Sequence, residues 1–380
     1  MAFLQPRDAD DLTEIVRSAA SAGEKLELRG GGTKADFGAP RAATVVSVAA
    51  LSGVIDYDPA ELVLTLRPGT PLAEVEALLA AEGQMLAFEP WGAPGATIGG
   101  VIAAGVAGSR RITAGSARDH LLGFQAVSGR GESFVAGAKV VKNVTGYDLP
   151  KLMAGSWGRI GAMTELTLKA LPAPRMTTTM VAEGLGPAAA HALMACALGS
   201  NADVSAAAHL ARGLTLLRVA GFAPSVEARC ASLPGIVSAH CTVRRVADDE
   251  AAGLWDEAMT GSGLAGETCW RVHLPPRHAP SLVARLEPLG IDWAMDWGGS
   301  RVWIAHAGSS LAVRQAAADL GGEATLVRAD AAMRAAVPPF QPRAPGLAAL
   351  EQRVRLAFDP KGVFATTRFA EDAHADLLPA

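Results

Sequence analysis

Cysteine is scarce in this 380-residue chain, and none of Cys196, Cys230, Cys241 and Cys269 forms a C-x-x-C pair. Iron–sulfur and structural zinc sites need closely spaced thiolates, so neither is supported. Few, scattered thiols in a long chain suit a reducing cytosol and read as buried apolar side chains. Charge of one sign is also lacking. The net charge is −4, which gives no sequence-independent attraction to nucleic-acid phosphates. The opening MAFLQPRDADDL has no basic n-region followed by an apolar h-region, so no secretory signal is expected. One stretch, Pro90 to Ser109, carries no charge and is long enough to span a bilayer. Two prolines and six glycines within it make a lipid-facing helix unfavourable. It reads instead as a loop and short helix where backbone must approach something closely. Neither G-x-G-x-x-G opening a βαβ unit nor G-x-x-x-x-G-K-[ST] occurs, so a Rossmann site and a P-loop are unsupported.

What is present is a foldable globular composition, half apolar and 19% charged, in a chain long enough for two domains. Residues 8–22 have an amphipathic stripe of Leu12, Ile15, Val16 and Ala19, with aspartates at the N-terminal end and Gly23 as terminator. Residues 25–30, 44–48 and 61–69 read as strands. Thr70 as N-cap and Pro71 at the first position open a second helix. Residues 121–127 and 132–135 flank a Ser-Gly-Arg-Gly turn, a hairpin signal, and 163–171 forms another strand. Composition changes near Pro172: six of seven lysines lie at or before Lys169, and five of seven tryptophans fall between 255 and 303. The expected division is 1–172, a second α+β module over 173–337, and a linker with a last helix over 338–380 that returns to the first domain.

Glycine clusters carry the functional signal. Arg29-Gly30-Gly31-Gly32-Thr33-Lys34 follows a strand, where glycines let main-chain N–H groups face an anion and the flanking cations add charge. A surface turn explains this cluster alone about as well. Pro94-Gly95-Ala96-Thr97-Ile98-Gly99-Gly100, with Ala103, Ala104, Gly105 and Gly108 beyond, implies tight backbone approach to a flat or extended ligand, or close helix packing. Two more clusters are Gly115-Ser116-Ala117-Arg118-Asp119-His120 and the pair KNVTGYD (142–148) with GSWGRIG (155–161).

In their order, RGGGTK, PGATIGG, GSARDHLLGFQAVSGRGE and KNVTGYDLPKLMAGSWGRIGAMTELTLK, these clusters resemble the FAD-binding domain of the vanillyl-alcohol-oxidase/PCMH flavoprotein superfamily. They resemble more closely the FAD-binding subunits of bacterial glycolate oxidases. The match covers about residues 1–172. It implies an α+β PCMH-type FAD domain of two small subdomains with the cofactor between them. Residues Arg29 to Lys34 and Pro94 to Gly100 would hold the pyrophosphate. Ala103 and Gly105 would approach the flavin. Gly115, Arg118 and Asp119 would line the cleft, and Asn143, Thr145, Gly158 and Gly161 would finish it near the adenine. Relatives with covalent FAD carry a histidine where this chain has Thr33, so the FAD is expected to be non-covalent. FDPKGVF (358–364) matches the family's closing segment, but Ala365-Thr366-Thr367-Arg368 replaces the usual Asn-Pro-Gly-Arg and retains only its arginine.

Hydroxy-acid-oxidising relatives also carry a His-rich metal motif. Here the second module has isolated His209, His240, His273, His278 and His306, so no metal and no catalytic residue are assigned. Arg271 and Arg301 suit a carboxylate clamp, although solvated strand-edge charges are the simpler expectation. Trp293, Trp297 and Trp303 are expected in the core. The resemblance implies a redox subunit, not active alone, in a glycolate oxidase-type complex with a larger FAD-containing subunit and an iron–sulfur subunit. It implies a cytoplasmic location, with any inner-membrane contact made through partners. Two alternatives stay open: a stand-alone FAD-dependent 2-hydroxy-acid dehydrogenase, and an assembly subunit that kept the fold without flavin.

Overall fold

The computed structural model describes residues 3–139, 146–306 and 308–369. Contacts divide the chain into two units. The first comprises Met1–Ala107, Gly115–Pro172 and Pro342–Ala380, and the second Gly108–Ala114 and Ala173–Gln341. Between Pro172 and Ala173 the chain passes from the first unit to the second. The seven-residue loan of Gly108–Ala114 to the second unit has no compositional signature.

In the first unit, helix Ala9–Ala22 starts where the Asp8 carboxylate accepts from the Asp11 amide and ends at Gly23 in the left-handed conformation. It buries Leu12, Val16, Ala19 and Ala20 against Leu26, Val46, Val363 and Phe364. Three parallel strands, Phe3–Leu4, Thr44–Ser47 and Leu26–Arg29 in that order, form a small sheet beside it. A second sheet of five antiparallel strands runs Val54–Asp58, Val63–Leu66, Ala162–Lys169, Leu121–Val127 and Ser133–Gly137. Leu64, Leu66, Leu166 and Leu168 from this sheet pack with Val75, Leu79, Phe88, Ile98 and Val101. The second helix begins at Leu72, with Pro71 as N-cap. Thr70 is not the cap because its hydroxyl already donates to the Arg67 carbonyl and accepts from the Gly53 amide.

The C-terminal segment belongs to this unit through specific bonds. The Asp359 carboxylate accepts from the Val363 and Phe364 amides, both at 2.8 Å. The Val363 carbonyl accepts from the Leu26 amide at 2.8 Å. Helix Pro345–Phe358 is tied down by Glu351, 3.0 Å from Arg159.

The second unit is built on one eight-stranded antiparallel sheet. Its order is Arg244–Arg245, Met176–Ala182, Leu214–Gly221, Val204–Leu210, Asp292–Asp296, Arg301–Ala305, Cys269–His273 and Glu323–Arg328. Side chains alternate between its faces. Leu217, Val219, Trp270, Val272, Met295, Val302 and Ile304 form one core with helices Pro187–Leu198, Ala223–Ile236, Ala279–Leu286 and Ser310–Asp319. Helix Asp248–Thr260 lies on the opposite face, where Trp255 Nε1 donates to Thr179 Oγ1 and Trp303 Nε1 to the Ala258 carbonyl. Trp293 and Trp303 are core residues, as expected, but Arg271 and Arg301 are not edge charges. Their strands lie inside the sheet, and Arg301 is 1% exposed, paired with Asp296.

His209 is buried in this unit, with Nδ1 2.9 Å from Thr215 Oγ1. Burial pushes its pKa down to about 4, so the folded state holds the ring neutral. The unfolded chain binds a proton near pH 6.5 and the folded one does not. The stabilisation is therefore present above pH 6.5 and is lost as pH falls towards 4, by up to about 3 kcal/mol. The variant His209→Gln should show a shallower loss of stability than the parent between pH 6.5 and 4 in urea titrations. Identical slopes would contradict this assignment.

Candidate functional site

Strand Leu26–Arg29 runs directly into the glycine triplet, and the structure shows why glycine is needed there. A Cβ on Gly31 would lie 1.6 Å from the Gly95 carbonyl oxygen, far inside any real contact. The two glycine clusters thus meet backbone to backbone. The second is stitched to the Pro68–Leu72 turn: Gly99 N donates to Pro68 O at 2.9 Å, Ile98 N to Thr70 O at 3.0 Å, and Leu72 N to Ala96 O at 2.8 Å. A Cβ on Gly99 would stand 2.7 Å from that Pro68 oxygen. These approaches fix the two segments side by side on one cleft.

The cleft encloses about 820 Å³, counting its open mouth, within the size range of small-molecule sites. The triplet with Thr33 and Lys34 forms one wall, and Ala96, Thr97, Gly99, Gly100 and Ala103 form another. Trp157, Gly158, Gly161, Ala162 and Met163 contribute a third. The turn carrying Trp157 docks on helix Ile98–Ala104, with Trp157 N donating to Ala103 O at 2.8 Å and Gly155 N to Ile102 O at 3.0 Å. Trp157 has φ +56°, a left-handed conformation that costs energy for a bulky residue. Its ring stacks on Phe37 at 4.2 Å and 7°.

Cations outnumber acids in the lining, with Arg29, Lys34 and Arg368 against Glu27. Burial opposes ionisation of Glu27, but hydrogen bonds and charge from Arg41, then Arg29, outweigh it and hold the carboxyl below its usual range. Glu27 is thereby already neutralised. Lys34 makes no salt bridge among the described residues. Burial alone pushes its ammonium pKa down, as expected for a cation held without a counter-charge. Arg368 arrives from the C-terminal segment. Its Nε donates to the Phe37 carbonyl at 2.7 Å and its NH2 group to the Lys34 carbonyl, so it clamps the loop after the triplet.

Of the residues singled out from sequence, Arg29, Gly30, Gly31, Gly32, Thr33, Lys34, Ala96, Thr97, Gly99, Gly100, Ala103, Gly158 and Gly161 share this cleft. Pro94 and Gly95 are exposed and do not line the cleft, Gly95 standing as the neighbour of Gly31. Ile98 is fully buried in the apolar core. Gly105 caps helix Ile98–Ala104, and a Cβ there would lie 3.2 Å from Gly155 Cα, a mark of close packing. Gly115 and Asp119 belong to a capped turn in which Asp119 accepts from the Ser116 amide and hydroxyl. Neither they nor Arg118 line the cleft. Asn143 and Thr145 lie outside the described residues. Sequence reasoning missed Leu28, Val48, Pro68 and Trp157 as lining groups, because nothing local separates them from strand and turn residues. Arg368 had a signal in its FDPKGVF context.

The comparisons with known proteins agree with this geometry. Residues 1–137 match a family described as an FAD binding domain. The chain is 34% identical over 355 residues to glycolate oxidase subunit GlcE of Escherichia coli (strain K12), covering 93% of this chain and 95% of that protein. It is 28% identical over 183 residues to glycolate oxidase subunit GlcD of Bacillus subtilis (strain 168), but spans only 39% of that longer protein. Among solved structures, an alkyldihydroxyacetonephosphate synthase shares the fold at TM-score 0.67 and 14% identity, over 95% of this chain and 75% of that one. The glycine-lined cleft and the matching domain define an α+β FAD-binding oxidoreductase of the PCMH type. Within that class, the chain belongs to the family of the glycolate oxidase subunit GlcE.

Gly31→Ala should cost at least tenfold in FAD content, because its Cβ meets backbone that cannot retreat without opening the cleft. Gly235→Ala lies in a helix with open space around it and should leave FAD content unchanged while adding about 0.5–1 kcal/mol of stability. Flavin absorbance per chain measures the first effect and denaturant titration the second. Equal FAD content in the two variants would contradict the packing argument.

Proposed function

We propose that this chain is the FAD-carrying redox subunit of a glycolate oxidase-type complex, taking electrons released from a small 2-hydroxy acid such as glycolate. The observation that carries the reading is the convergence of the first two glycine clusters on one cleft lined by Lys34, which makes no salt bridge among the described residues. The residues fit FAD: two glycine segments packed main chain to main chain along the cleft, and Lys34 held without a salt bridge among the described residues. Backbone amides from Gly31 to Lys34 face the diphosphate with Lys34 as its counter-charge, and Ala96, Thr97, Gly99 and Gly100 form the wall opposite. Ala103, Ala104 and Gly158 leave room for the flat ring system. Arg368 fixes the Lys34–Phe37 loop against the cofactor. FAD supplies the two-electron chemistry, and the protein orients it and excludes water.

The FAD is held non-covalently. Thr33 stands where covalent relatives place a histidine, and among the lining residues no histidine or cysteine is available for attachment. We further propose that the chain works beside a larger FAD-containing subunit and an iron–sulfur subunit, a reading supported by its likeness to a protein named as a glycolate oxidase subunit. Among the described residues, no helix is long and apolar enough to cross a membrane, and no group of three metal-ligating side chains occurs.

Lys34→Met should weaken FAD binding by roughly 10- to 100-fold, the worth of one charge-assisted hydrogen bond, as measured by quenching of flavin fluorescence. Acid precipitation should leave a colourless pellet and a yellow supernatant; a yellow pellet would refute non-covalent binding. Dye reduction with glycolate should be faster in the assembled complex than with this chain alone. Equal rates would show that the chain is a self-sufficient dehydrogenase.

A further inference from the structure

The polar face of the second unit's sheet holds a cluster that the cofactor cleft does not use. Arg271 and His273 project from one strand on the same face. Arg301 pairs with His273 across the next strand, and Asp296 pairs with Arg301 beyond it. The Gly108–Ala114 segment adds Ser109 and Arg111. Trp297 sits at the centre, with Arg301 at 4.1 Å and Arg111 at 4.3 Å from its ring centroid, and His273 stacked at 5.1 Å. Its φ is +55°, a strained conformation secured by Nε1 donating to the Gly108 carbonyl at 2.9 Å.

Charge in this cluster does not balance. Asp296 is the acid within it, and its oxygens are already engaged by Arg301, the Ser109 hydroxyl at 2.7 Å and the Trp297 amide at 2.6 Å. Glu323, opposite His273 on the outermost strand, is exposed. Arg271 makes no hydrogen bond or salt bridge among the described residues, and its Nε is buried without a partner, as is His273 Nε2. Burial first, then Arg301 and Arg111, pushes the Arg271 pKa down to about 10. Burial and the same positive field push His273 well below its usual value. A half-buried guanidinium without an anion is costly to keep, and such perturbed groups concentrate at functional sites.

We propose that this cluster is a binding site for a small carboxylate, gripped by Arg271 and held in the positive field of Arg111 and Arg301. A planar guanidinium open to a ligand suits bidentate pairing with a carboxylate. The size of the anion, that of a 2-hydroxy or 2-oxo acid, rests on the proposed function. The anion site itself rests only on the cluster.

The test is calorimetric titration of the FAD-loaded chain with oxalate and glycolate, with the neutral glycolamide as control. Oxalate should bind and glycolamide should not. Arg271→Ala should weaken oxalate binding at least tenfold, Arg271→Lys should weaken it less, and Arg277→Ala, a surface change outside the cluster, should leave it unchanged. Arg111→Ala provides a second variant if Arg271→Ala fails to fold, and should also weaken oxalate binding. Absence of oxalate binding by the FAD-loaded parent, or parent-like affinity in both folded variants, would overturn the proposal. The two readings fail separately. Oxalate binding that depends on Arg271, without any glycolate-driven flavin reduction in the complex, would support the anion site and contradict the redox assignment. Flavin reduction without oxalate binding would do the reverse.

Discussion

The meeting of Gly31 with Gly95 governs the first unit. Two segments more than sixty residues apart in sequence touch through main chain alone, and no residue with a Cβ can occupy the first position. That constraint places the strand Leu26–Arg29, the Pro68–Leu72 turn and helix Ile98–Ala104 in one arrangement. The cleft is what remains between them. The C-terminal segment then closes the loop after the triplet through Arg368, so a residue near the end of the chain completes a site begun near its start.

Electrostatics follow the same plan. Glu27 is spent on Arg41 and Arg29, which leaves Lys34 and the bare backbone to meet an anion. In the second unit the logic is repeated with side chains. Asp296 is saturated by its neighbours, and Arg271 is left to a ligand. Both sites combine a positive field with restricted access to water, where charge pairing is stronger than in bulk solvent.

Regular elements were legible where periodicity and punctuation coincided. Helix Ala9–Ala22 carried both its stripe and its caps, and strand Val63–Leu66 lies within the alternating stretch 61–69. Thr70 misled because its hydroxyl is used inside the preceding turn. Glycine clustering revealed the cleft because close approach leaves a compositional trace. The packing role of Gly105 and the turn closed by Asp119 leave the same trace, so glycine alone could not separate wall from support. Arg271 was illegible for a different reason. Interior and edge strands read alike in sequence, and only the sheet order shows that its strand is enclosed.

The account stands on backbone amides of residues 31–34 facing one diphosphate, across the cleft from the wall of residues 96–100. Hydrogen exchange of the protein with and without FAD tests that claim directly. The account predicts that residues 31–34 become protected when FAD binds, while the second unit's strand Leu214–Gly221 does not change. Protection confined to other parts of the chain, with this segment unaltered, would contradict it.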